Sequence, residues 1–281
     1  MLAVVALITT GLAVKAQGDS TSVIRPVMSA FTIEAGTSHL ADTYLTPLHY
    51  DGWHTAIEYS HTQACGFSPE KWIRRLTVRA VVDRAGNPAR NASMLNGALV
   101  ARWAPLFRFA LFGDCLNVAA GPEIEAGAGV YYLSRNGNNP AAAKGNITVN
   151  ASATIWKTVT VGRLPVTLMA STSIPCIGAF FAPEYGQLYY EIWLGDRSGL
   201  VRPAWWGSYF AMDNRISADL RLGATTLRIG YTNTILSSKA NDIVTRNTTH
   251  AVSLGIVSEL ISLSARRDAD LRNARIISAI Y

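Results

Sequence analysis

The sequence has few charged residues and no long apolar run beyond its first 16 residues. Only 16% of its 281 residues are charged, against about a quarter in a typical soluble domain. A membrane-spanning helix needs about 20 consecutive apolar residues, and the best later stretch, 98–112, is interrupted by Arg102, Pro105 and Arg108. Hydrophobic residues still make up 49% of the chain. Because they are dispersed over many short segments, the sequence excludes a bundle of spanning helices and favours an all-β protein.

Cysteine is also scarce, and the basic residues form no patch. Cys65, Cys115 and Cys176 lack the spacing of a metal site. In an exported protein two of them could form a disulfide, and the sequence does not say which two. The net charge of +6 comes from scattered Lys and Arg residues. We therefore expect no metal, no cofactor and no nucleic-acid partner.

The N-terminus predicts export. Residues 2–14 form a continuous apolar or small run, and Val14-Lys15-Ala16 offers a small-residue cleavage site. The predicted division is a signal peptide over 1–16, a main domain over 17–263, and a C-terminal tail or last strand over 264–281.

The rest of the chain repeatedly alternates apolar and polar residues, which is the period of half-buried strands. In the first such segment Phe31 and Ile33 share one face, and Glu34 lies on the other. Ten segments show this pattern: 31–36, 53–60, 75–82, 99–103, 116–133, 147–155, 166–170, 216–222, 226–231 and 252–256. Several reach the 9–11 residues that a tilted strand needs to cross a bilayer. Ten strands are predicted; twelve is the alternative if 188–194 and 275–281 are also strands.

The predicted connections alternate between short and long. The short ones are 64–71, 105–115, 162–164 and 223–225, and the longer ones are 39–51, 84–95, 134–144, 175–212 and 237–247. Short periplasmic turns and long extracellular loops are typical of outer-membrane barrels. We therefore predict that 17–263 is an outer-membrane β-barrel: a transmembrane antiparallel up-and-down barrel, monomeric and in contact with outer-membrane lipid. A soluble two-sheet sandwich would alternate too, but strands of 11 to 18 residues are long for a sandwich.

The polar faces of the predicted strands carry balanced charges. Five acids and five arginines lie there: Glu34, Glu58, Glu123, Glu125, Asp219, Arg75, Arg79, Arg102, Arg221 and Arg228. In a narrow barrel they would face the lumen, where an unpaired charge costs several kcal/mol. We expect a charge network that plugs the lumen; the alternative is the selectivity lining of a narrow channel for small polar solutes or ions.

The predicted loop 175–212 is rich in aromatic residues. Its candidate binding residues are Tyr185, Tyr189, Tyr190, Trp193, Trp205 and Trp206. One interpretation is a loop folded over the barrel mouth, with Trp205, Trp206 and Tyr209 at the membrane interface. The other is a binding surface for a glycan, a lipid or a protein at the cell surface.

Enzymatic activity is not expected. The predicted extracellular rim offers acid, histidine and serine side chains: His39, Asp42, His49, Asp51, Asp196, Ser198 and His250. A catalytic triad needs a nucleophile beside its histidine, and no nucleophile motif surrounds Ser198. A surface hydrolase is kept as the second alternative, after the channel.

Several short stretches carry a family resemblance: 135–140 (RNGNNP), 181–187 (FAPEYGQ) with 189–191 (YYE), 226–231 (TLRIGY), Thr249-His250 and, more weakly, 44–48. On these the chain resembles an uncharacterised family of outer-membrane β-barrels of Bacteroides-type Gram-negative bacteria, a domain of unknown function. The resemblance implies a barrel in the cell outer membrane and brings no established activity or catalytic residues. It also implies a chain that ends soon after 252–260, whereas this one continues to Tyr281. The predicted function is surface recognition or envelope interaction.

Overall fold

The computed structural model describes residues 23–113, 115–137, 139–223, 225–261 and 275–281. The predicted signal peptide, 1–16, lies outside these ranges. The elements, in chain order, are β1 (Val23–Ile24), β2 (Val27–Asp42), β3 (Thr46–Ala64), β4 (Trp72–Gly86), β5 (Ser93–Leu111), β6 (Leu116–Leu133), β7 (Ala141–Val161), β8 (Leu164–Phe181), α1 (Tyr189–Leu194), β9 (Val201–Ala204), β10 (Tyr209–Leu222), β11 (Thr225–Ala240), β12 (Ile243–Leu260) and β13 (Arg275–Ile276). None of the helices in these ranges has the length and apolarity to cross a membrane.

Ten strands close into an antiparallel barrel. Strands β2 to β8 pair in sequence, β8 pairs with β10, and β10, β11 and β12 lead back to β2. Strand β9 pairs with the end of β8 and stands outside the ring of ten. The prediction of an all-β, ten-stranded antiparallel barrel is confirmed.

The twelve-strand alternative is wrong. Residues 189–194 form the short helix α1 rather than a strand. Near the C-terminus, Arg275 and Ile276 form β13, which pairs in parallel with β1 outside the barrel. Neither segment is part of the ring, because the ten strands of the ring already pair with one another all the way round.

The barrel wall separates apolar from polar side chains by the parity of each strand. On β2, Phe31 and Ile33 point outward and are about half exposed. Glu34, the residue after Ile33, points inward and is 0% exposed. The same outward face continues around the ring with exposed Ile57, Val82, Leu99, Ile124, Ile147, Leu168, Ile216, Ile229 and Leu254. A continuous apolar surface of this kind is typical of a wall that faces lipid.

The connections differ from those predicted. At one end of the barrel, here the loop end, they are 43–45, 87–92, 134–140, 182–208 and 241–242; at the other, here the termini end, they are 65–71, 112–115, 162–163 and 223–224. The connections predicted at 39–51, 84–95, 134–144 and 237–247 are shorter than predicted, and among the loop-end connections of the described residues only 182–208 is long. Strands such as β2 continue to Asp42 because backbone pairing with β12 persists beyond the segment where the side chains alternate clearly.

Candidate functional site: the lumen and the loop over its mouth

A layer of ion pairs crosses the lumen, and we call it the septum. It consists of Glu34, His54, Glu58, Arg79, Arg102, Glu125, Asp213 and Arg215. Its centre is Asp213 on β10, which lies 3.2 Å from Arg79, 2.9 Å from Arg102 and 2.8 Å from Arg215. Arg79 also donates to Glu34. Three guanidinium groups around Asp213 offset the cost of burying its carboxylate.

The remaining predicted pairs lie nearer the termini end. Arg75 lies 3.1 Å from Glu123, and Arg228 binds Asp219 through two hydrogen bonds of 2.7 Å. Arg102 lies 2.7 Å from Glu125 within the septum. Nine of the ten residues expected in the lumen network therefore make an ion pair: Glu34, Glu58, Arg75, Arg79, Arg102, Glu123, Glu125, Asp219 and Arg228.

Arg221 is the exception among the predicted network residues. Its guanidinium carbon lies 4.0 Å from the ring centroid of Tyr281, and the ion pairs of the described residues do not include it. The Glu/Arg balance read from the sequence is therefore not a one-to-one pairing. Arg221, the tenth residue of the predicted network, contacts the aromatic ring of Tyr281 instead of an acid.

The predicted charge network left out six lumen residues: Asp42, His54, Asp83, Lys144, Asp213 and Arg215. Asp213 and Arg215 fell between the predicted loop 175–212 and the predicted strand 216–222, although the inward parity of 216–222 extends back through them. His54 and Asp83 face each other across β3 and β4, 2.6 Å apart. Such a pair becomes visible only once the register of the two strands is known.

The septum divides the remaining lumen space in two. Toward the loop end lies a cavity of about 170 Å³, here the mouth chamber. Toward the termini end lies one of about 110 Å³, here the inner chamber. Arg102 and Asp213 line both chambers, so the septum is the partition between them.

The C-terminal residues fill the termini end of the lumen. The indole of Trp156 donates to the Ile280 carbonyl at 2.9 Å, and the Tyr281 hydroxyl donates to Asp219 at 2.5 Å. Arg108 donates to the Ser278 carbonyl at 2.8 Å. Ala279 and Ile280 pack against an apolar layer made of Ile73, Ala104, Leu106, Ala119, Trp156 and Met169. The segment predicted as a tail or last strand thus enters the lumen over 277–281.

An apolar layer fills part of the lumen at the loop end. It is made of inward residues from β2 to β7 and the first turn: Leu40, Leu45, Tyr50, Ala85, Met94, Tyr131, Leu133 and Ala142. The mouth chamber reaches the rim beside Pro183, Ala240 and Ile243.

The connection 182–208 is held over the mouth by specific contacts. The Tyr44 hydroxyl donates to the Gln187 carbonyl at 2.7 Å, and the Tyr189 hydroxyl accepts from the Ala143 backbone at 2.5 Å. The two tyrosine rings meet edge to face, 6.1 Å apart. Burial raises the pKa of Tyr189 to about 12 and also raises the pKa of Tyr44, so both hydroxyls stay protonated at neutral pH. Asn241 donates to the Ala182 carbonyl at 2.7 Å.

Five of the six candidate binding residues are exposed, namely Tyr185, Tyr190, Trp193, Trp205 and Trp206. Tyr189 is half-buried against Tyr44 and therefore anchors the loop. Trp206 donates to the Pro175 carbonyl of β8, beside the barrel wall. Tyr190, Trp193 and Leu194 have helical i, i+3 and i+4 spacing, which places them on one face of α1. We call this the α1 face.

The polar rim residues fall into separate groups. His39 lies 2.6 Å from Asp51, and both are exposed. Asp42 is buried and lies 2.5 Å from Lys144, while His250 hydrogen-bonds the Tyr231 hydroxyl at 2.6 Å. Over the described part of the chain, no cluster of three or more His, Cys, Asp or Glu could hold a metal ion. The three cysteines, all within it, are unpaired.

Several solved structures are similar to this chain. The β domain of the Bordetella autotransporter BrkA shares 8% identity at a TM-score of 0.43, covering 84% of this chain and 100% of that one. The translocator domain of the autotransporter NalP from Neisseria meningitidis shares 12% at 0.41, covering 85% and 89%. An outer membrane channel from Pseudomonas putida F1 shares 8% at 0.32, covering 88% and 100%. At these scores no functional conclusion follows.

None of the curated proteins matches the chain significantly. A family model does match it, over residues 1–267, and its description is "Protein of unknown function (DUF3316)". The chain belongs to this family of proteins of unknown function, DUF3316.

Proposed function

We propose that this protein is an outer-membrane barrel with a closed lumen that recognises a glycan at the cell surface through the α1 face. The observation that carries the proposal is the exposure of that face: Tyr190 is 68%, Trp193 80% and Leu194 67% exposed. Each large apolar side chain left in water forgoes about 1.5–3 kcal/mol of burial. A partner that covers them recovers this free energy.

The α1 helix is poorly suited to a purely structural role. It has six residues, none of which is buried, and isolated helices of that length are unstable in water. Its position is maintained by contacts outside it, such as the bond from Tyr44 to Gln187. A fixed helix whose large residues face solvent is what a binding surface requires.

A glycan suits this surface better than a purely apolar partner. Aromatic rings present flat apolar faces that stack on sugars. The exposed side chains of Glu191, Asp196 and Arg197 lie on α1 or just after it and can hydrogen-bond hydroxyl groups.

The location in the cell outer membrane is part of the same proposal. It is supported by the outward apolar surface, with side chains such as Leu99 55% and Leu254 56% exposed. We propose that the loop end lies outside the cell and that the protein is a monomer. The sequence resemblance supports a Bacteroides-type Gram-negative source. Absence of enzymatic activity stays a prediction.

Closure of the lumen supports recognition rather than transport. A solute would have to pass the septum and then the C-terminal segment, in which Ala279 is 0% exposed. A narrow channel is the second candidate, favoured by the two chambers of about 170 and 110 Å³ separated only by the septum. Planar-bilayer recording distinguishes them, since resolved conductance steps from the full chain would contradict the closed lumen.

The recognition proposal is tested by binding of the refolded full chain to a panel of immobilised bacterial surface glycans. Trp193→Ala is expected to weaken binding by about 30-fold, since a central aromatic contact is worth 2 kcal/mol or more. Phe112→Ala is the matched control, because Phe112 is equally exposed, at 80%, but lies at the termini end. Equal binding by Trp193→Ala and the wild type, or no binding to any glycan of the panel, would contradict the proposal.

A further inference from the structure

The mouth chamber has the size of a small-molecule site. Its volume of about 170 Å³ is close to the roughly 150 Å³ of an apolar protein cavity that binds benzene. Small inward residues leave this space open, among them Ala98, Gly127, Gly129 and Ala211. A Cβ atom on Gly127 would lie 2.3 Å from Asn146 Oδ1, so this position admits no larger residue without rearrangement.

One side of the chamber is apolar. Phe180 and Tyr209 are buried there with their ring centroids 5.2 Å apart. Ala211, Leu236 and Ala240 pack around them. Together they form a wall that fits the face or edge of a ring.

The chamber also has a polar corner with unmet hydrogen-bonding capacity. Arg79 and Thr249 both line the chamber and are 3% exposed. Arg79 Nε and Thr249 Oγ1 are buried and have no hydrogen-bond partner within the described ranges. The Arg79 side chain reaches the pair of strands that carries Thr249, because Arg79 Nη1 is 3.4 Å from the hydroxyl of Thr234, and Thr234 is the cross-strand neighbour of Thr249. A buried polar atom without a partner costs about 1–3 kcal/mol, which a bound hydrogen-bonding group would recover.

Charged groups around the chamber are already paired. Lys144 lies 2.5 Å from Asp42, Arg102 lies 2.7 Å from Glu125, and Arg79 donates to Glu34. A charged ligand would have to displace one of these partners or remain uncompensated, and both are costly in a buried site. The chamber therefore favours a neutral molecule.

From these features we infer that the mouth chamber binds a neutral amphipathic molecule of about one benzene ring carrying a hydroxyl or carbonyl oxygen, as in phenols. The ring packs against Phe180 and Tyr209. The oxygen accepts a hydrogen bond from Arg79 Nε and shares one with the Thr249 hydroxyl. This site is distinct from the α1 face and does not depend on glycan recognition.

Fluorine NMR of para-fluorophenol with the refolded full chain in detergent micelles tests the site. Saturable line broadening is expected with the wild type and is expected to disappear with Ala211→Phe, which fills the chamber. Ala126→Phe is the matched control, because the same substitution on the outward face of β6 leaves the lumen unchanged. Equal broadening by the wild type and Ala211→Phe would overturn the inference, since it would reflect partition into micelles.

Two further variants complete the test. Thr249→Val keeps the shape of the side chain and removes its hydroxyl, so para-fluorophenol is expected to bind about three- to tenfold more weakly, with fluorobenzene unaffected. Unchanged affinity for para-fluorophenol would overturn the polar contact that defines the ligand class. If Ala211→Phe does not give the heat-modifiable migration of a folded barrel, Ala98→Phe on β5 fills the chamber instead.

Discussion

Replacement of Arg79 by methionine is expected to lower the free energy of unfolding by about 3 kcal/mol. Arg79 compensates two buried carboxylates, those of Glu34 and Asp213, which are 0% and 7% exposed. Breaking a buried ion pair costs about 3–5 kcal/mol. Asp213 retains two other arginines, so the loss falls mainly on Glu34. The low end of the range applies because His54 remains 3.6 Å from Glu34.

The assay is equilibrium unfolding in urea, followed by tryptophan fluorescence of the barrel refolded in micelles. Arg75→Met is the control: its side chain is 21% exposed, and Glu123 keeps Arg102 3.9 Å away, so the expected loss is about 1 kcal/mol. The double variant Arg79→Met with Glu34→Gln is expected to be more stable than Arg79→Met alone, because a neutral amide needs no counter-ion. A loss for Arg79→Met no larger than that for Arg75→Met, or a double variant less stable than the single one, would refute this reasoning.

Three other predictions concern the ends and the wall of the barrel. Deletion of 275–281 removes the segment that fills the termini end, so planar-bilayer conductance should rise above that of the full chain; identical traces would show that the septum alone closes the lumen. Leu99→Arg places a charge on the outward face and should cost about 2–4 kcal/mol in urea unfolding from lipid vesicles; no loss would contradict a lipid-facing wall. Tyr44→Phe removes the hydrogen bond to Gln187, worth about 0.5–1.5 kcal/mol, so limited proteolysis within 182–208 should become several-fold faster; an unchanged rate would mean that other contacts, such as that of Tyr189, suffice.

The alternation of side chains predicted the wall well but its limits poorly. In a barrel the inside and outside differ in polarity, so Ile33 and Glu34 reveal their faces directly in the sequence. Toward the loop end the inward face becomes apolar, as at Leu40, while the outward face becomes polar, as at His39, so the alternation no longer marks the two faces while the backbone pairing continues. This is why β2 extends to Asp42, through residues predicted as a loop.

The aromatic loop was predicted in composition but not in arrangement. Its candidate residues all occur in the sequence between 185 and 206, and nothing local distinguishes Tyr189, which anchors the loop, from Tyr190, which is exposed. The difference comes from Tyr44, a residue 145 positions away that packs on one ring and not on the other. Contacts over such a sequence distance depend on the closed ring, which brings the first turn next to the long connection.

The sequence by itself determined the parity of each strand and the number of strands, because both follow from a local period of two residues in a wall with one polar and one apolar side. It thereby determined that the lumen is charged. The tertiary structure decided which charges meet: Glu58 pairs with Arg215, 157 positions away, and Arg221 contacts Tyr281 instead of an acid. It also decided that the C-terminus enters the lumen and that a chamber remains beneath the loop. These depend on ring closure and strand register, which set the heights of distant side chains in the lumen and leave no trace in the local pattern.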